Sequence, residues 1–207
     1  VGSFVSAGAP NGNGGVWLLD PSDSAVTQAV ADGYTATLNT GTSVSNLVSG
    51  DSITMADGVT INKTAGGDAS LTFNASGDIQ LGGVSISSSA GLLDVSLIAG
   101  GSVSTGAALT ITTNGGNVLF NANSGGADCA SGDAIYLLGQ GSVINTSGGN
   151  ITVGGGSSLD GSDYAVTSEG ASDGVRFENG GGGFLMDAGG GNIAIRGKSN
   201  GGYYGVF

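Results

Sequence analysis

The chain of 207 residues contains no histidine and a single cysteine. The absence of histidine excludes Ser-His-Asp triads, Cys-His dyads and histidine-ligated metal sites. The one cysteine, Cys129, cannot form an internal disulfide, and a free cysteine usually behaves as a small buried residue. Pairing of Cys129 with a second chain is the alternative.

Positive charge is almost as scarce as histidine. The basic residues are Lys63, Arg176, Arg196 and Lys198, and the net charge is −12. Binding to nucleic acid and attraction to anionic lipid both need a basic surface, and no apolar run reaches transmembrane length. We therefore expect no nucleic-acid partner and no membrane insertion. The chain opens at Val1 without a recognisable signal peptide, which indicates a processed chain or a segment of a longer protein.

Glycine, in contrast, is abundant, with 44 of the 207 residues against about 7% in an average protein. Glycine at this level is typical of disorder or of a fibrous repeat. The apolar fraction is 39%, and the apolar residues are periodic rather than scattered. This periodicity favours an ordered repeat over disorder.

Between Lys63 and Phe120, apolar and polar residues alternate in segments of three to five residues. Alternation predicts strands with one buried face, and the gaps are too glycine-rich for helices. Very short strands with a turn every few residues are typical of a β-solenoid, in which each coil stacks on the next. The predicted stacked core comprises Leu71, Phe73, Ile79, Leu81, Val95, Leu97, Val118, Phe120, Ile151 and Ile193.

A Gly-Gly-Asp/Asn turn recurs at residues 66–68, 115–117, 148–150 and 190–192. Glycine supplies the positive φ of sharp turns, and Asn, Ser and Thr can form ladders along the stack. The first inward residues of corresponding strands are 24, 23, 33 and 42 residues apart. We interpret the 33 as a coil with an insertion at Asn123–Asp133, and the 42 as two coils of 21. About nine coils, a rod of roughly 40–45 Å, would result.

The early part of the chain, residues 1–49, is predicted to be an irregular start of the same domain. It contains a weak helical turn at Ser24–Ala31 and strands at Tyr34–Leu38 and Ser43–Leu47. Its only tryptophan, Trp17, is expected to pack at the start of the core.

Residues 50–207 are predicted to continue as regular coils to the last residue. The final strand-like segment, Tyr203–Phe207, lies inside a coil without a polar cap. An open coil exposes a strand edge that invites pairing, and Val1–Val5 gives the first end the same character. We therefore expect linear association of copies, or a longer chain.

Parallel β-solenoids also include lyases and hydrolases of polysaccharides, and glycoside hydrolysis uses paired carboxylates. The nearest such pairs are Asp160 with Asp163 and Asp20 with Asp23. All four lie among turn-forming residues, so we interpret them as turn residues. Calcium binding by acidic turns is an alternative, although the nonapeptide calcium repeat does not occur. We assign no catalytic, cofactor-binding or metal-binding residue.

Three segments resemble the repeat region of filamentous-haemagglutinin-like large exoproteins, which Gram-negative bacteria export by two-partner secretion. Val16–Asp23 (VWLLDPSD) resembles their WLLDP-x-(D/N) signature. Ile61–Phe73 (INKTAGGDASLTF) resembles their ITKTAGGDATLTL coil, and Ile111–Val118 (ITTNGGNV) matches one of their turns. The resemblance implies a right-handed parallel β-helix and a secreted, surface-associated adhesin or filament without catalytic residues. The family's amino-terminal secretion signature does not occur in this sequence.

Taken together, these patterns predict an all-β protein, a right-handed parallel β-helix. The expected function is structural and non-enzymatic: a stalk or filament segment of a secreted bacterial adhesin at the cell surface. Its expected partners are its own copies end to end or the rest of a longer exoprotein, with host or neighbouring-cell glycans as further candidates. The alternative is a carbohydrate-active β-helix that binds or cleaves polysaccharide, which exposed aromatic residues beside aspartate in a concave face would favour.

Overall fold

The computed structural model describes residues 5–8, 14–19, 25–168 and 170–207. This part of the chain forms one α-helix and twenty short strands. In chain order the elements are β1 (Val16–Leu19), β2 (Ala25–Val26), α1 (Gln28–Leu38), β3 (Ser43–Val48), β4 (Ile53–Met55), β5 (Thr60–Lys63), β6 (Ala69–Ala75), β7 (Ile79–Leu81), β8 (Ser85–Ser88), β9 (Leu93–Ala99), β10 (Val103–Thr105), β11 (Thr110–Thr112), β12 (Val118–Ala122), β13 (Ile135–Leu138), β14 (Ser142–Asn145), β15 (Ile151–Gly155), β16 (Ala165–Thr167), β17 (Val175–Glu178), β18 (Phe184–Asp187), β19 (Ile193–Ile195) and β20 (Gly197–Ser199).

The strands pair in parallel with the corresponding strands of neighbouring coils. Sheet 1 has the order β1-β3-β6-β9-β12-β15-β19, sheet 2 the order β2-β4-β7-β10-β13-β17, and sheet 3 the order β5-β8-β11-β14-β18. Each full coil contributes one strand to each of the three sheets in turn. Strands β6, β7 and β8 form one such coil, and the next coil begins at β9. The predicted all-β parallel β-helix is confirmed.

The core is a set of columns that run along the stack. In sheet 1, Val44, Leu71, Val95, Val118 and Ile151 follow one another in register, and each is at most 1% exposed. This alignment confirms the predicted register of Leu71, Val95, Val118 and Ile151, and Val44 extends it by one strand. The predicted core residues that are buried are Leu71, Phe73, Ile79, Leu81, Val95, Leu97, Val118, Phe120 and Ile151.

Ile193 is the exception among the predicted core residues. It pairs with Ile151 as predicted, but its side chain is 45% exposed. The reason is its position in β19, the last strand of sheet 1. An inward-facing residue is buried by the coils on both sides, and no described coil follows β19.

The coil count differs from the sequence-based expectation of nine. Ile151 pairs directly with Ile193, so the 42 residues between them form one coil, and their interpretation as two coils is wrong. Sheet 1 has seven strands, which span about 30 Å at about 4.8 Å per strand. The predicted insertion in the 33-residue coil is confirmed, because Asn123–Asp133 lies between β12 and β13.

The Gly-Gly turns are required by the close approach of successive coils. At Gly148, φ is +122°, a conformation that glycine adopts without a Cβ penalty. A Cβ on Gly149 would lie 2.1 Å from the carbonyl oxygen of Gly116 in the preceding coil. The backbones therefore touch at this corner, and a larger residue would separate the coils.

The residue after each of these glycine pairs forms the predicted side-chain ladder. The backbone N–H of Asn192 donates to Oδ1 of Asn150 at 2.9 Å, and that of Asn150 donates to Oδ1 of Asn117 at 2.9 Å. The backbone N–H of Asn117 in turn donates to Oδ1 of Asp94 at 2.7 Å. Each side chain thus satisfies a turn amide of the next coil that no strand pairing reaches.

The early part of the chain contains the largest error of the sequence analysis. Tyr34–Leu38, predicted as a strand, belongs to the helix α1, whereas the predicted strand at Ser43–Leu47 is confirmed as β3. The helix buries Ala31, Tyr34 and Leu38, which recur every three to four residues along one helical face. Trp17 packs edge-to-face on Tyr34 at 6.3 Å between ring centroids, as expected for a residue at the start of the core.

Helix α1 also covers the first edge of sheet 3. The backbone N–H groups at this edge of β5, and just after it, have no preceding strand to accept them. Three polar side chains on or next to the helix, seven and four residues apart, accept them instead at 2.7–3.2 Å. The acceptors are Gln28, Thr35 and Asn39, and the donors are the amides of Thr60, Asn62, Thr64 and Ala65. A capped edge cannot template the pairing of another chain.

Replacing Phe73 by Ala should destabilise the fold by about 3–5 kcal/mol, because a fully buried aromatic side chain leaves a cavity when it is removed. The check is the free energy of unfolding from urea denaturation. The matched control is Thr72→Ala in the same strand, whose side chain points outward and should change stability by no more than about 0.5 kcal/mol. Equal effects of the two substitutions would contradict the register of β6.

Candidate functional site

Three successive coils leave the regular stack at the same corner, between sheet 1 and sheet 2. In earlier coils this corner is tight: three residues, 76–78, connect β6 to β7, and three, 100–102, connect β9 to β10. In the later coils it carries residues 123–134, 156–174 and 196–205. We call the described residues of these three segments the lobe. Of these three segments, only the first is predicted from the sequence, as the insertion at Asn123–Asp133.

The lobe segments stack on one another as the regular coils do. Strand β16 pairs in parallel with β20, and Cys129 forms a parallel bridge with Thr167 on the other side of β16. The N–H of Cys129 donates to the carbonyl of Val166 at 2.9 Å. The lobe therefore adds a short fourth sheet to the side of the rod.

One buried side chain, Asn123, fastens two of the lobe segments together. It is 3% exposed, and its Oδ1 accepts the N–H of Val166 at 2.7 Å. Its Nδ2 donates to the carbonyl oxygens of Val166 at 3.0 Å and Ala127 at 2.9 Å. The two hydrogen bonds with Val166 fix the position of β16 relative to the first segment, and the third orders the first segment itself.

An open groove of about 300 Å³ is lined by residues of all three lobe segments. Its lining combines carboxylates, a hydroxyl, an ammonium group and an aromatic ring. The ring of Tyr164 is 57% exposed and follows directly after Asp163. The lining groups relevant to binding are Asp128, Ser157, Asp163, Tyr164, Val166 and Lys198.

The carboxylate pair that the sequence singled out, Asp160 and Asp163, lies in the same loop of the lobe. Asp160 Oδ1 accepts the N–H of Ser162 at 2.9 Å, and Ser158 Oγ donates to Asp163 Oδ2 at 3.3 Å. Hydrogen bonds from Ser162 and Ser158 lower the pKa of the exposed Asp160 to about 2. The bonds to Ser162 and Ser158 support the turn interpretation of the pair, and Asp20 and Asp23 lie outside the described residues.

Most other aspartates at the turns accept hydrogen bonds from the next coil, as the asparagines of the ladder do. Each accepts a backbone N–H of the next coil through one oxygen at 2.6–3.0 Å. The donors lie 23 to 40 residues further along the chain. The acceptors are Asp57, Asp68, Asp78, Asp94, Asp133 and Asp173.

The lysine Lys63 is a buried charge that the sequence analysis did not anticipate. Its side chain is 0% exposed, and Nζ donates to the carbonyl oxygens of Ala65 at 3.1 Å, Gly66 at 3.4 Å and Ala90. Burial lowers the pKa of Lys63, and Asp68 opposes that change. In the next coil, Ser88 donates to the equivalent turn carbonyls, so Lys63 occupies a position that stabilises this corner of the coil.

Cys129 is buried, at 6% exposure, as the sequence predicts. Burial raises the pKa of its thiol to about 11, and Asn123 Nδ2 approaches its sulfur at 3.2 Å. A thiol with so high a pKa forms little thiolate near neutral pH, so it is a weak nucleophile.

Comparisons of the chain with models of protein families, with curated proteins and with solved structures return no match. Among the described residues, no three Cys, Asp or Glu side chains lie close enough together to hold a metal ion. No helix in the described ranges is both long and apolar enough to cross a membrane. The function must therefore be argued from the rod, its two ends and the lobe.

Stability should decrease at alkaline pH. Burial raises the pKa of Tyr34 to about 12 and that of Cys129 to about 11, whereas unfolded chains have values of about 10 and 8.5. The unfolded state loses these protons first. The contribution of these two buried groups to the free energy of unfolding is therefore complete below about pH 8.5, and it is lost as the pH rises towards 12. The lowered pKa of Lys63 acts in the opposite direction and reduces the net loss.

The check is the urea midpoint between pH 8 and pH 11. Cys129→Ala should flatten its decline above about pH 8.5, and Tyr34→Phe should flatten it above about pH 10. The control is Tyr164→Phe, because Tyr164 is exposed and its removal should leave the slope unchanged. The same slope in all four proteins would show that neither buried group is responsible.

Proposed function

We propose that this chain is a stiff structural segment, the stalk or a filament piece of a secreted, surface-associated bacterial adhesin. The observation that carries the proposal is the unbroken register of sheet 1 from β1 to β19. A continuous core, backbone ladders in three sheets and side-chain ladders at the corners together resist bending. A stalk needs this stiffness.

The resemblance to filamentous-haemagglutinin-like exoproteins supports the adhesin part of the proposal. Two of the three matching segments join strands of successive sheets in the β-helix, whereas residues 20–23 of the third lie outside the described residues. The segment like ITKTAGGDATLTL runs from β5 to β6 and contains the buried Lys63. The segment ITTNGGNV spans β11, the Gly-Gly turn and the first residue of β12. Secretion and attachment to a cell surface rest on this resemblance.

The two ends of the rod differ, whereas the sequence predicts that both are open. Helix α1 covers the first edge of sheet 3, and Val1–Phe4 lie outside the described residues. The other end exposes Ile193 at 45% and Ile195 at 36%. The edge of β17 is covered there by the last residues of the chain: the N–H of Phe207 donates to the carbonyl of Val175 at 2.9 Å, and the N–H of Phe177 donates to the carbonyl of Phe207 at 3.0 Å.

A further coil would bury the exposed isoleucines. A second copy stacked head to tail would bring helix α1, rather than a strand, to the edge of β18. Strand pairing in sheet 3 would then be lost, so this geometry favours a coil of a longer exoprotein over a second copy as the partner at this end.

The rod can be tested by small-angle X-ray scattering and sedimentation. The expected particle is elongated, and any association should grow with protein concentration. Ile195→Lys should suppress that association, because it places a charge on the open end of the core. Leu185→Lys is the matched control, since Leu185 is 55% exposed on the outer face of a neighbouring strand. A compact particle would contradict the stalk.

The alternative, cleavage of polysaccharide, is less well supported by the carboxylates. A glycosidase needs one protonated carboxyl group as the acid, and the lowered pKa of Asp160 keeps this group ionised. We expect no release of reducing ends from neutral or acidic polysaccharides. Turnover that disappears in the folded double variant Asp160→Asn/Asp163→Asn would establish the enzyme instead.

A further inference from the structure

We propose that the groove of the lobe binds a neutral oligosaccharide. This inference goes beyond the stalk, because it concerns the three coils that depart from the regular rod. The earlier coils form without such segments, since three residues connect β6 to β7 and β9 to β10. The stacking of the lobe segments creates an open groove of about 300 Å³, at the lower end of the range for small-ligand sites.

The chemistry of the lining matches the surface of a sugar. The ring of Tyr164 is 57% exposed, and a pyranose presents a face of C–H groups that packs on such a ring. Sugar hydroxyls both donate and accept hydrogen bonds. Asp128 and Asp163 supply acceptors, Lys198 supplies donors, and Ser157 supplies either.

The groove is held in position before any ligand arrives. Asn123 fixes β16 through two hydrogen bonds with Val166, and the N–H of Gly155 donates to the carbonyl of Asp163 at 3.1 Å. Gly156 has φ +92°, and a Cβ there would lie 2.5 Å from Cβ of Asp163. A rigid recess spares the ordering cost that a flexible loop would incur on binding.

The charges of the groove select among oligosaccharides. The groove is lined by two carboxylates, Asp128 and Asp163, and one ammonium group, Lys198, and the whole chain carries −12. A uronic acid or a sulfated sugar would be repelled by this field. A neutral sugar is accommodated without an electrostatic cost.

The test is a titration of the ¹⁵N-labelled protein, followed by the shifts of its backbone amides. The probes are neutral tetrasaccharides of glucose, galactose, mannose and N-acetylglucosamine, with tetragalacturonate as the anionic comparison and a lysine-rich peptide as the basic one. We expect at least one neutral probe to shift the amides of Ser157, Asp163, Tyr164 and Lys198. Tetragalacturonate should leave them unchanged.

Variants distinguish the aromatic contact from a general surface effect. Tyr164→Ala should weaken binding by about tenfold or more, as the loss of an aromatic contact does, whereas Tyr164→Phe should retain it because the ring remains. Tyr203→Ala is the control, since Tyr203 is equally exposed, at 55%, and does not line the groove.

Three results would overturn the proposal: no neutral probe bound at millimolar concentration, equal binding by wild type and Tyr164→Ala, or stronger binding of the lysine-rich peptide. None of these results would alter the elongated shape, so the proposal for the groove and the proposal for the stalk are tested independently. Retained circular dichroism of each variant shows that the fold is intact.

Discussion

Parallel stacking of backbone on backbone, one strand spacing apart, is the constraint on which the rest of this structure depends. Each coil must return to the same cross-section after its turns, so the corners of successive coils also touch. At the Gly148–Gly149 corner there is no room for a side chain, since a Cβ on Gly149 would lie 2.1 Å from a carbonyl oxygen. The high glycine content follows from this contact, and does not indicate disorder.

The same constraint accounts for much of the acidic composition. A turn amide lies outside the strand ladders, and a buried or half-buried amide needs an acceptor. A short side chain with an oxygen one coil earlier is at the right distance, and both Asn and Asp meet that requirement. Asp94 and Asn117 stand in the same ladder, which shows that here the oxygen matters rather than the charge. Six aspartates are used in this way, so their number is no sign of catalysis.

Where a coil lacks a neighbour, other groups replace the missing backbone. Helix α1 presents Gln28, Thr35 and Asn39 to the first edge of sheet 3. The opposite end exposes Ile193 and Ile195 instead. The described residues of the two ends therefore cover different strand edges. The lobe, in contrast, changes only the side of the rod and leaves the register of sheet 1 intact.

The sequence by itself determined the β-helix, the register of Leu71, Val95, Val118 and Ile151, the ladder of turn residues and the insertion after Asn123. These features are local: alternation and Gly-Gly turns specify short strands, and identical corners bring like residues together. Only the tertiary structure decided the helix at Tyr34–Leu38, the single coil of 42 residues, the exposure of Ile193 and the groove beside Tyr164. The alternating Tyr34–Leu38 segment fits either element until its neighbours are known. Exposure and concavity depend on which coils lie above and below, and a spacing along the chain does not contain that information.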